Sequence, residues 1–221
     1  MNLIIPNQSS DPDALFKAAW DFTVRHHAPD VEWLMMRDRK SCNIPEEFFE
    51  TYVWVVYVSG FNASIVAQKW ELLRKAWMQF NPYMCEKNQY LEANRVISNE
   101  MKNQAITKIS QEIRACGSHF HEKFSLKYLE DRYKMQRLPY IGGVTSFHLA
   151  RNLGFHEVKP DLHLERLRKH FGFGSTDAMC RQLSNSNSVD LPLVDLALFV
   201  YASHKFVKRK GCCGLSVPRL R

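Results

Sequence analysis

Residues 138–166, LPYIGGVTSFHLARNLGFHEVKPDLHLER, constrain the fold more than any other stretch, because proline, glycine and aspartate divide them into turn, helix, loop and helix. In the preceding SLKYLEDRYKMQR, residues 125–137, Leu126, Leu129 and Tyr133 recur at helical spacing. Pro139 must end that helix, since it has no N–H to donate and its ring clashes with the preceding turn. Gly142 and Gly143 lack Cβ and are free to take positive φ. The helical pattern resumes from Thr145 through Phe147, Leu149 and Leu153, and Gly154 closes it. Asp161 then stands at the N-cap of a third helix, DLHLERLRKHFG. A glycine turn feeding a helix N-terminus exposes N–H donors at the positive end of a dipole, an arrangement suited to a phosphate. The same turn is also an ordinary connector, and an aspartate at an N-cap most often only satisfies backbone donors.

The remaining pattern predicts an all-α chain. Ser10 or Asp11 caps a first helix, Pro12 fits its first turn, and Leu15, Phe16, Ala19, Trp20 and Phe22 give it an apolar face. Residues 31–45 read as a polar connector. From Pro45 a helix apolar nearly all round leads to a break at Ser59 and Gly60, then to a second, amphipathic helix; the run VWVVYV is locally strand-like. Residues 81–94 read as irregular, and the next helix carries Ile106, Ile109 and Ile113 as core. Near the end, residues 175–183 form a short capped helix, SNSNS a loop, and residues 192–207 an apolar helix that should pack on the first one.

A net charge of +7 favours a polyanionic partner without separating DNA from RNA or an anionic surface. Lys205, Lys208, Arg209, Lys210, Arg219 and Arg221 make a basic tail that fits such a partner or simply aids solubility. The six cysteines are scattered and follow no signal peptide, so the expectation is free thiols in a reducing cytoplasm. His26 with His27, and His119 with His121, lack further ligands at zinc spacing, so no metal site is expected. Charges interrupt every apolar run short of a bilayer span.

The motifs at 138–166 together resemble those of the helix-hairpin-helix DNA glycosylase superfamily. Leu138, Pro139, Ile141 and Gly142 fall on its Leu-Pro-Gly-hydrophobic-Gly turn, Thr145 on the threonine opening the next helix, and Asp161, His163 and Arg166 on its Asp-x-His-x-x-Arg segment. The resemblance implies a two-lobed helical fold with the hairpin at the cleft. Residues 45–154 would form one contiguous bundle, and 1–44 plus 155–221 a second lobe carrying the catalytic aspartate. It implies hydrolysis of the N-glycosidic bond of a flipped, damaged or modified base, in repair or in defence against phage DNA with hypermodified bases. The alternative is a helix-hairpin-helix protein that binds DNA without catalysis.

On this resemblance Asp161 is catalytic, and Tyr140, Gly142, Gly143, Thr145, Lys159, His163 and Arg166 contact DNA. Phe61 or Asn62 would fill the gap left by the flipped base, with Arg95, Lys102 and Lys108 facing phosphates. Trp54 and Tyr57 either line the base pocket or belong to the core. The chain departs from the family at two positions. Val144 replaces the lysine with which bifunctional members form a Schiff base, which implies a monofunctional enzyme, and Tyr140 stands where the turn usually has glycine. Some members hold an iron–sulfur cluster on four closely spaced cysteines, but only Cys212 and Cys213 lie in that region, so no cofactor is required; a monovalent cation at the hairpin is compatible. The implied partner is double-stranded DNA bound by a monomer in the cytoplasm, at the nucleoid, with no membrane.

Overall fold

The computed structural model describes residues 11–38, 42–85 and 88–206, and among these every regular element is a helix or helical turn. Cys212, Cys213 and most of the basic tail lie outside the described residues. Asp11 caps α1 (Pro12–His26) by accepting the Asp13 N–H, and Pro12 occupies its first turn. The polar connector expected from residue 31 is instead helical, as α2 (Ala28–Met35). Pro29 sits in its first turn, and Val31, Trp33 and Leu34 are buried with Leu193, Leu196 and Val200. Its own residues, VEWLM, are largely apolar, and the polar run begins only after it, at Arg37.

The VWVVYV run is helical within α3 (Pro45–Val58), because burial on every side, from Phe48 to Tyr57, overrides β propensity. Gly60 at φ 74° turns the chain after it. The amphipathic helix that follows is two pieces, α4 (Ala63–Gln68) and α5 (Trp70–Ala76), separated at Lys69. The segment read as irregular contains α6 (Gln89–Val96). Asn99 caps α7 (Glu100–Cys116), which buries Ile106, Ile109 and Ile113 as its spacing predicts.

The helix expected over 125–137 is broken. A turn at His121–Ser125 leads into α8 (Leu126–Tyr128), and after an interruption comes α9 (Arg132–Met135). Asp131 is the cause: its backbone is extended and its carboxylate accepts the Lys134 N–H, so it starts a new helix rather than continuing the old one. Then follow α10 (Gly143–Asn152), α11 (Leu162–Phe171), α12 (Thr176–Asn187) and α13 (Leu191–Phe206). The SNSNS segment is not a loop; α12 runs through it to a left-handed Ser188.

The buried side chains separate into two groups. The larger runs from Cys42 to Phe155 and centres on α3, with Trp54, Tyr57, Ile109 and Leu149 in its interior. The second unites Leu15, Phe16 and Ala19 of α1 with Val158, α11, α12 and α13, and α2 packs on the other face of α13. Among the described residues no helix is long and apolar enough to cross a membrane.

A candidate active-site cavity between the two helical groups

A cavity of about 730 Å³ is lined by residues of both groups. One wall is the α3–α4 turn, with Ser59, Gly60, Phe61 and Asn62, together with Val144, Thr145 and His148 of α10. The facing wall has Lys159, His163, Phe199, Ser203 and His204, with His27 from the junction of α1 and α2. Four histidines and a lysine thus line the space, with no carboxylate among the lining residues.

The turn entering α10 is made differently from what its glycines suggest. Neither Gly142 nor Gly143 has positive φ; Gly142 is extended (φ −101°, ψ −171°) and serves as the N-cap of α10. The left-handed residue is Tyr140, at φ 66°. A side-chain-bearing residue therefore holds a conformation that glycine adopts without strain. Thr145 Oγ1 accepts the Gly142 N–H at 2.6 Å, and Tyr52 donates its hydroxyl to Pro139 O at 2.6 Å, fixing the turn to α3. A Cβ added at Gly142 would meet nothing closer than Thr145 Oγ1 at 3.9 Å, and one at Gly143 nothing within 4 Å. The space over the start of α10 is open, and its first N–H groups have no carbonyl one turn earlier to receive them.

Asp161 caps α11 as its position in the sequence predicts. Oδ1 accepts the His163 N–H at 2.8 Å and the Leu164 N–H at 2.9 Å. Oδ2 is buried and has no hydrogen-bond partner. The cap function accounts for one carboxylate oxygen and leaves the other unexplained. Lys159 and His163, on either side of Asp161 in sequence, both line the cavity.

The surroundings push three of the cavity bases, His148, His163 and Lys159, toward their neutral forms. Burial holds His148 well below the ordinary histidine value, and the positive charges of Lys159 and Arg151 add to the effect. His163 is lowered chiefly by burial, with Asp161 opposing; its Nδ1 is buried without a partner, and its ring meets Phe199 edge-on at 5.9 Å. Lys159 is lowered by burial and by Arg151, while Asp161 and Asp195 pull the other way. Behind this wall Arg151 of α10 and Asp195 of α13 form a buried ion pair at 2.8 Å that joins the two helical groups.

Of the residues singled out from sequence, the cavity brings together Phe61, Asn62, Thr145, Lys159 and His163. Asn62 also caps α4, accepting the Ser64 N–H at 2.9 Å. Trp54 and Tyr57 are not pocket residues. Trp54 packs edge-on against Trp70 at 5.1 Å, and Tyr57 donates its hydroxyl to Asn103 Oδ1 at 2.6 Å inside the core. Their places on α3, buried on every side, turn them inward. Lys102 does not face outward either; only 1% of it is exposed. Arg95 pairs with Glu92 on the surface, and Arg166 is not among the lining residues. His27, His148, Phe199, Ser203 and His204 were not anticipated. For His148 a signal existed, since it stands one helical turn after Thr145 and Val144 and so shares their face. Among the described residues no group of three or more His, Cys, Asp or Glu side chains is placed to hold a metal.

Comparison with protein-family models, with curated proteins and with solved structures finds no match to this chain.

Proposed function

We propose that the chain is a monofunctional DNA glycosylase of the helix-hairpin-helix superfamily, acting as a monomer on double-stranded DNA in the cytoplasm. The observation that carries this reading is the division of labour within Asp161, where Oδ1 is anchored by two helix N–H groups and Oδ2 is left buried and unpartnered. Anchoring one oxygen fixes the direction of the other. As a base departs, its deoxyribose gains oxocarbenium character, and a fixed carboxylate stabilises that charge and orients the attacking water. The cavity supplies the volume for an extruded nucleotide, and the open N-terminus of α10 supplies donors for a backbone phosphate. Tyr140, left-handed where the superfamily's turn usually has glycine, supports the hairpin assignment. Lys159 and His163 would contact the sugar or backbone from the cavity wall, and Phe61 would enter the gap left by the base.

The burial of Oδ2 also favours a second reading, a DNA-binding module in which Asp161 is only a cap. A panel of duplexes, each with one oxidised, alkylated, deaminated or hypermodified base, separates the two. The glycosylase leaves an intact strand that breaks at the modified site only after alkali. Salt-dependent binding of every duplex with no alkali-labile product on any of them establishes the binding module instead.

A further inference from the structure

Lys102 stands in the first turn of α7, yet its amine is turned inward to the far end of α3, donating to Tyr57 O at 2.7 Å and Ser59 O at 2.6 Å. The placement has electrostatic logic, since a cation is disfavoured at the N-terminus of its own helix and favoured at the carbonyl end of another. The amine also lies 4.1 Å from the centroid of the Phe61 ring and 5.5 Å from that of Tyr140. Those two rings belong to different segments, the α3–α4 turn and the turn before α10. They are among the exposed apolar side chains, at 42% and 37%. One buried ammonium therefore ties together two exposed aromatic rings beside the cavity.

We infer that Lys102 is a positioning residue that, in its charged form, holds Phe61 and Tyr140 at a fixed separation as a paired stacking surface for the nucleobases flanking an extruded nucleotide. This deepens the glycosylase reading above and rests on it. Each ring offers a face or edge to a base, and stacking on aromatic side chains is tolerant of sequence. The cation–π attraction to both rings exists only while the amine is protonated. Burial lowers its pKa to about 8, with no carboxylate contributing. The titratable side chain shown against it is the Tyr140 phenol ring, from the turn before α10; from α3 it meets the backbone carbonyls of Tyr57 and Ser59. The ring pair is thus set at neutral pH and released as pH rises through about 8.

The test uses a duplex with one tetrahydrofuran abasic analogue flanked by 2-aminopurine, beside the same duplex intact, with affinity read by anisotropy and stacking by 2-aminopurine quenching. Below pH 8 the wild type should prefer the gapped duplex by about tenfold, the scale of one stacked base. Phe61→Ala and Tyr140→Ala should each remove most of that preference. In the wild type the preference should fall as pH rises through about 8, while Lys102→Arg, whose cation does not titrate there, should keep it.

Stability must move the opposite way. The folded amine titrates near 8 and the unfolded one at 10.5, so between these values the unfolded chain binds more protons, and this group's contribution to stability rises with pH. A purely structural Lys102 predicts no loss of gap preference while the fold is growing more stable. If Lys102→Met fails to fold, the wild-type and Lys102→Arg pH profiles decide the matter. A gap preference that is flat across pH 8, or that survives loss of both rings, overturns the inference even where salt-dependent binding of the intact duplex keeps the DNA reading. Absence of any salt-dependent duplex binding removes both.

Discussion

Asp161→Asn separates the two oxygens of one side chain. The substitution keeps an oxygen to accept the His163 and Leu164 N–H groups, now bonded at 2.8 and 2.9 Å, so the cap survives. Asparagine and aspartate are nearly equivalent caps, and stability should change by no more than about 0.5 kcal/mol, whereas Asp161→Ala loses the cap and should cost about 0.5–2 kcal/mol. What Asn cannot replace is the negative charge at Oδ2, which is buried with no partner. Loss of one preorganised electrostatic group at a developing charge costs about 100- to 1,000-fold in rate, or about 2.7–4 kcal/mol. Base release, scored as alkali-labile breaks on the responsive oligonucleotide, should drop by at least that factor in Asp161→Asn. Thermal midpoint and duplex affinity should stay near the wild type. Equal turnover in the two proteins would refute the reasoning and leave Asp161 a cap. An Asp161→Asn protein as unstable as Asp161→Ala would refute the assignment of Oδ1.

Three further outcomes follow from the same geometry. Tyr140 is left-handed at φ 66°, so Tyr140→Gly should be more stable than Tyr140→Ala by about 1 kcal/mol in chemical denaturation, the reverse of the order at an ordinary helical site. Duplex affinity should fall about tenfold or more between low and physiological salt if several phosphates are neutralised, and affinity unchanged by salt would rule out a phosphate-led interface. Val144 places a hydrocarbon where a Schiff-base lysine would stand, so borohydride should trap no covalent complex with a preformed abasic site; efficient trapping abolished by Lys159→Ala would make Lys159 the nucleophile.

The sequence was most legible where local chemistry and tertiary packing agree. Asp11, Asp161 and Ser175 cap the helices their positions announce, each accepting a backbone N–H. The isoleucines of α7 fall on its buried face as their spacing predicts. It was least legible where distant partners decide. Residues 31–34, Val-Glu-Trp-Leu, were grouped with the RDRK run that follows, yet their apolar side chains pack as a helix on α13. Asp131 carries the same cap chemistry as Asp161, yet the periodicity of Leu126, Leu129 and Tyr133 concealed it. Lys102 read as a surface charge because the carbonyls that receive it belong to α3, more than forty residues earlier in the chain. At the turn before α10 the left-handed residue is Tyr140 and neither glycine, and the one sign of it in the sequence was its place where the resembling turn usually has glycine.

The buried Arg151–Asp195 pair links the fold to the chemistry of the cavity. An ion pair of this kind gains little over an apolar contact of equal size, because desolvation offsets most of its attraction, whereas removing one partner strands a buried charge. Its presence at the junction of the two helical groups is therefore poorly explained by stability alone. Its charges reach the cavity: Arg151 lowers both His148 and Lys159, while Asp195 acts on Lys159 in the opposite sense. Asp195 is itself raised, chiefly by burial, with Arg151 opposing. The contact that joins α10 to α13 thus also biases which cavity groups carry a proton. His148 and His163, held toward the neutral form, can donate or accept a hydrogen bond without adding positive charge, and Asp161 is a negative charge acting on both Lys159 and His163. On the proposed glycosylase reading that distribution would suit a positive charge developing on a sugar, whereas a clamp for a polyanion would gain nothing from it.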